Sequence, residues 1–183
     1  MNSALILIDI QNDYFTGGRN PLEGSLEASL QAGKLLAHFR RRSLPLFHIQ
    51  HIATSPGASF FLPGTDGART HQNVYPQPDE IVIQKHYPNS FRQTGLLTSL
   101  HALGIQHLVV VGMMTHMCVD ATVRAANDLG FEVWLAQDGC ATKALTFGDN
   151  RVPAVQVHFS FLAALQGTYA DVMTTKQILA KLT

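Results

Sequence analysis

The chain has 183 residues, enough for one domain with a substantial core. Thirteen basic side chains balance thirteen acidic ones, which leaves no electrostatic footprint for nucleic acid or an anionic membrane. No apolar run approaches the roughly 20 residues that cross a bilayer, two cysteines make no disulfide framework, and no signal peptide precedes the first strand. The expectation is a reduced, soluble, cytoplasmic protein. Only 14% of residues are charged against 46% hydrophobic, so much of the surface is expected to be weakly charged or covered by a partner.

Short apolar runs alternate with longer amphipathic segments. Ala4–Ile10 is apolar on both faces until Asp9, as a central parallel strand requires. Leu26–Phe39 has helical spacing, with Leu26, Leu30, Leu35 and Leu36 assigned to one side. Arg40, Arg41 and Arg42 close that helix, where cations meet the negative end of its dipole. Pro45 introduces a second strand, Leu46–His51. Residues 52–79 follow, rich in Pro, Gly and polar side chains. A connection of that length in a compact domain is usually functional or disordered, and it reads as a substrate lid. Glu80–Lys85 reads as a third strand, Thr94–Leu103 as a helix and His107–Gly112 as a fourth strand. A helix over Val119–Leu129, a fifth strand over Glu132–Ala136 and a helix over Asn150–Leu165 come next. Tyr169–Met173 makes a sixth strand, and Thr174 with Gln177 can cap a last helix. The alternation predicts a three-layer α/β/α architecture built on a parallel sheet, as one domain over residues 1–183.

In open parallel sheets, ligands bind at the C-terminal ends of the strands. Asp9, His51 and Lys85 end strands one to three, and Cys118 follows strand four. Each has an ordinary explanation: a turn cap, a supporting hydrogen-bonder, a solvated strand end and a buried structural thiol. Four reactive side-chain types at four successive strand ends favour a catalytic group. Cys118 also opens a helix, where unpaired N–H groups and the helix dipole favour a thiolate. Phe15, Phe60, Phe61, Tyr87 and Phe91 lie near these ends or in the lid and are candidates, with His51, for binding substrate. Cys140 is read as structural, and Asp138 as a support for local turns. No Gly-x-Gly-x-x-Gly follows the first strand, which weighs against a dinucleotide enzyme.

Four segments carry a wider resemblance: Leu7–Phe15, Lys85–Phe91, Gly112–Val119, and Gly130–Val133 running to Asp138–Thr142. In their sequence, order and spacing the chain resembles the isochorismatase-like cysteine hydrolases, which include nicotinamidases and N-carbamoylsarcosine amidohydrolases. That resemblance implies a strand order 3-2-1-4-5-6 and an Asp–Lys–Cys triad at Asp9, Lys85 and Cys118. It implies a cis peptide at Met113–Met114, with the Met114 and Cys118 amides as an oxyanion hole. The strand order also sets a demand, because Lys85 must reach Asp9 across the intervening strand, roughly 10 Å away at ordinary spacing.

The implied activity is cleavage of a small amide-type C–N bond through a thioester. The alternatives are enol-ether hydrolysis of the isochorismatase type, which does not need the thiol, and a silent binding protein on the same fold. Nicotinamidases carry an Asp-x-His metal motif where this chain has Ile49-Gln50-His51. His51 and His71 without that carboxylate make a poor site, so no catalytic metal and no cofactor are expected, and nicotinamide is disfavoured. The family also implies a homo-oligomer, a dimer or a tetramer.

Overall fold

The computed structural model describes residues 2–182. Six parallel strands form one sheet in the order β3-β2-β1-β4-β5-β8. These are β1 (Ser3–Ile8), β2 (Leu46–His51), β3 (Ile81–Lys85), β4 (His107–Met113), β5 (Glu132–Ala141) and β8 (Asp171–Met173). A two-stranded antiparallel hairpin, β6 (Leu145–Phe147) with β7 (Asn150–Val152), stands apart from it. The sixth sheet strand therefore carries the label β8, and the order within the sheet is the expected one.

The strands are apolar on both faces because both faces are covered. Ala4, Ile6 and Ile8 of β1, with Leu108 and Val110 of β4, pack under α2 (Leu96–Ala102), α3 (Asp120–Asp128) and α4 (Ala154–Leu165). Leu5, Leu7, Val109 and Val111 pack under α1 (Ser25–Arg41) and α5 (Thr175–Lys181). The three layers follow from this division. Among the described residues, no helix is long and apolar enough to cross a membrane.

Several boundaries differ from those read off the pattern. β1 ends at Ile8 because Asp9 adopts a left-handed φ of 50°, which stops the ladder where the site begins. Leu26 and Leu30 are both 52% exposed; the face of α1 that meets the sheet is Ala28, Ala32, Leu35, Leu36 and Phe39. Those five follow the i, i+4, i+7 spacing of one helical stripe, which Leu26 and Leu30 do not share. Residues 150–152 are strand, and α4 begins at Ala154 after Pro153. Gly148, at φ 57°, turns the hairpin between Phe147 and Asn150.

Glycine is obligatory at one point beside the site. Gly112 pairs with Ile8 across β1 and β4 at φ 141°, and a Cβ there would overlap the Ile8 carbonyl oxygen. The last turn of β4 can thus lie against β1, which brings the segment after β4 close to Asp9.

At the other end of β2 and β3, the side chain of Glu80 is buried and collects four hydrogen bonds. Arg40 donates through Nε at 2.7 Å and Nη2 at 2.8 Å, the Gln77 amide at 2.8 Å and His48 Nε2 at 2.9 Å. Arg40 thus reaches beyond the helix dipole to fix the edge of the sheet. His48 is pushed below its ordinary value by burial, so it donates here as neutral imidazole. The donors outweigh burial and hold the Glu80 carboxyl down at about 2. A carboxyl lowered by folding stabilises the native state above its unfolded value and loses that contribution as the pH falls. Glu80→Gln is expected to lower urea stability at pH 7, with the difference from the parent shrinking as pH falls from 4.5 towards 2. Parallel stability curves over that range would contradict the assignment.

Candidate active site

Asp9, His51 and Lys85 meet at the C-terminal ends of β1, β2 and β3. Register explains it: Asp9 follows Ile8, whose partner is Ile49, and His51 pairs with Lys85. The Lys85 ammonium spans β2 as the strand order demands and lies 2.7 Å from Asp9 Oδ2. Both side chains are fully sealed from solvent.

Lys85 Nζ also meets His51 Nδ1 at 3.1 Å and donates to the Tyr87 carbonyl at 3.1 Å. An ammonium has three donors and no acceptor, so these partners saturate it. Burial opposes the charge, but Asp9 and the sulfur of Cys118 outweigh burial and raise Lys85 above its ordinary value. The charged lysine fixes the histidine in turn. His51 Nδ1 must be the acceptor, so the imidazole is neutral with its proton on Nε2, consistent with burial pushing its pKa down.

Asp9, His51 and Cys118 could in principle hold a metal, since one ligand atom from each lies within 4.8 Å of the others. The Lys85 ammonium engages Asp9 Oδ2 and His51 Nδ1, and Asp9 Oδ1 and His51 Nε2 are the ligand atoms it leaves. His71 is elsewhere, stacked on Phe15 at 3.6 Å between ring centroids.

Cys118 is 4% exposed and belongs to a π-turn, Thr115–Val119, that leads into α3. The peptide Met113–Met114 is cis. The Met117 and Val119 amides both donate to the Met114 carbonyl, which holds the turn that carries the sulfur. The expected thiolate is corrected: burial first, then the charge of Asp9, push the thiol well above its ordinary value, and Lys85 offsets only part of this. The thiol is therefore protonated at neutral pH and requires a base. Asp9 Oδ1 is sealed and has no hydrogen-bond partner, which leaves it free to take that proton.

The segment 52–79 is docked rather than open. Gln11 is wholly buried and ties β1 to it, accepting from the His51 amide at 2.8 Å and donating to Ala68 O at 2.8 Å and His51 O at 2.9 Å. Asp13 accepts from the Phe61 amide at 2.6 Å and the Arg19 amide at 3.1 Å. Phe61 is buried at a left-handed φ of 55°, a conformation an aromatic residue holds only when its surroundings impose it. Tyr14 packs against it at 4.6 Å and against Phe60 at 5.9 Å. Sequence reasoning gave Gln11 and Tyr14 no role, although both stand within five residues of Asp9.

The remaining candidates separate. Phe60 belongs to this aromatic group, while Phe15 faces an outer cleft of about 720 Å³ with His71 and Arg19. Tyr87 contributes its carbonyl to Lys85 and its ring to the Arg92 guanidinium, 3.7 Å away. Phe91 packs on Phe131 at 6.1 Å at the margin of the core beneath α2 and α3. Cys140 is buried and pushed up to about 12. Asp138 accepts from the Thr175 amide at 2.7 Å and its hydroxyl at 2.8 Å, anchoring the start of α5.

Comparison with known proteins decides the family. The isochorismatase domain model matches residues 3–177. The chain belongs to the isochorismatase family. It is 49% identical to an uncharacterised isochorismatase-family protein, YddQ of Bacillus subtilis, over 98% of this chain and 99% of that one. A crystal structure from Oleispira antarctica, provisionally assigned as an isochorismatase hydrolase, is also 49% identical. It superposes with a TM-score of 0.94 over 98% of this chain and 96% of that one. The maleamate amidohydrolase of Pseudomonas putida is 28% identical over 98% of this chain and 86% of its own length.

For this isochorismatase-family hydrolase, a raised thiol pKa makes a kinetic prediction. Iodoacetamide labelling of Cys118, followed by peptide mass spectrometry, should be slow at neutral pH and still rising above about pH 9, since a free thiol is half ionised near 8.5. A plateau below about pH 8 would mean a preformed thiolate.

Proposed function

We propose that the protein is a cysteine hydrolase that cleaves a small amide-type C–N bond through a thioester on Cys118. The observation that carries this reading is the sealed, unpartnered Asp9 Oδ1 beside a protonated thiol, with Lys85 holding the other carboxylate oxygen. Asp9 takes the thiol proton as the sulfur attacks the carbonyl carbon. The carbonyl oxygen, now an anion, accepts hydrogen bonds from the Met114 and Cys118 amides, where one such donor is typically worth about 3–4 kcal/mol. As the C–N bond breaks, Asp9 returns its proton to the leaving amine. Asp9 then deprotonates a water that attacks the thioester, and the acid leaves with the thiol restored.

Lys85 takes no part in bond making. Its role is to hold Asp9 Oδ2 and His51 Nδ1 in place. The similarity to maleamate amidohydrolase supports amide cleavage over enol-ether cleavage. A neutral thiol suits this mechanism, because the base acts at the moment of attack.

Hydrolysis of a panel of small primary amides and ureides, read as ammonia release, tests the proposal. Cys118→Ala and Asp9→Asn are each expected to lower turnover by roughly 10³-fold or more. Unchanged amide hydrolysis in Cys118→Ala would end the thioester reading, and cleavage of isochorismate by that variant would favour the enol-ether alternative.

A further inference from the structure

Cys118 is carried by the π-turn Thr115–Val119, in which the Met117 and Val119 amides share the Met114 carbonyl at 3.0 and 3.2 Å. Turns of this i→i+5 type are rare and recur at functional sites. Two side-chain hydrogen bonds tie this one to its surroundings. Thr115 is wholly buried, and its Oγ1 lies 2.9 Å from Nδ1 of His158 in α4. One residue further on, Nδ1 of His116 lies 2.5 Å from Oγ1 of the buried Thr142.

The two anchors belong to different parts of the fold. α4 is docked on the core through Val157, Leu162 and Leu165, and His158 is its single titratable side chain. Thr142 follows β5 directly, and its carbonyl accepts the Glu23 amide at 3.0 Å, which pins it to the segment before α1. Burial pushes both imidazoles below their ordinary value, so at neutral pH each pair joins a hydroxyl to an uncharged ring.

Buried polar groups are normally paired, so pairing alone would mark only a well-satisfied interior. Position sets these two apart. They start from the third and second residues before Cys118, and the sulfur has a narrow target. Ligand atoms of Asp9, His51 and Cys118 all lie within 4.8 Å of one another. A displacement of about 1 Å in such a group can cost on the order of 10²-fold in rate.

We propose that His158 and His116 are positioning residues, which tether the π-turn through the hydroxyls of Thr115 and Thr142 and so keep the sulfur against Asp9. The expected effect on turnover rests on the thioester reading of Cys118; the placement of the sulfur does not.

Thr115→Val and Thr142→Val keep the side-chain shape and remove the hydroxyl, whereas Thr115→Ser and Thr142→Ser keep the hydroxyl. The pH profile of Cys118 labelling by iodoacetamide, read by peptide mass spectrometry beside the melting temperature, tests the tethers. The titratable groups that act on the sulfur, Asp9, His51, Lys85 and Tyr14, are unchanged in all four variants. A changed profile therefore reports that the sulfur has left its buried place. Each valine variant is expected to label about tenfold faster at pH 7.5, as a fall of about one unit in the thiol pKa dictates. Turnover of the amide that the parent hydrolyses fastest should fall on the order of 10²-fold, with KM little changed. The serine variants should keep the parent profile. An unshifted profile in a valine variant, whatever its melting temperature, would overturn the role of that tether, and an equal shift in its serine counterpart would do the same. Faster labelling with turnover unchanged would leave the tethers standing and end the thioester reading. Turnover that requires Cys118, with both valine profiles unshifted, would do the reverse.

Discussion

A single ion pair organises the site: the Lys85 ammonium, 2.7 Å from Asp9 with both side chains sealed from water. Burying two charges costs several kcal/mol per ion, and their attraction repays it only when the remaining hydrogen-bonding capacity is also met. Lys85 meets that condition with His51 and the Tyr87 carbonyl. Asp9 does not, because Oδ1 is left bare. A fold selected for stability alone would have no use for that bare oxygen. A base that must accept a thiol proton needs it.

Much else follows from this pair. It fixes which His51 nitrogen carries the proton. It also removes lysine as a nucleophile. The carboxylate raises the thiol pKa while providing the route by which the thiol ionises. Gln11 and Asp13 then close residues 60–71 over the site, where the exclusion of water strengthens each of these interactions.

The layers and the four strand ends were legible in the sequence because buried parallel strands are apolar on both faces and ligands gather at their C-terminal ends; the strand order came from the family resemblance. Register did the rest, since His51 and Lys85 are direct partners in the sheet. The less legible features turn on environment. Periodicity could not say that Leu26 and Leu30 face outward while alanines face the sheet. The hairpin at 145–152 was signalled by Gly148-Asp149 but is short beside the helix that follows. The protonation state of Cys118 was misjudged for a physical reason. A helix start and a lysine favour a thiolate, but burial and the Asp9 carboxylate oppose it, and burial cannot be weighed from spacing.

The charge state of Lys85 is the most direct test of this account. Selective labelling of the lysine side chains, with NMR shifts of the Lys85 Cε and Nζ followed against pH, reads it without reference to turnover. Lys85 should remain an ammonium from neutral pH to beyond its ordinary value of 10.5, in line with the raised pKa that Asp9 imposes. A neutral amine at pH 7 would contradict the account, since His51 would lose its fixed proton and Asp9 the charge that lets it act as a base.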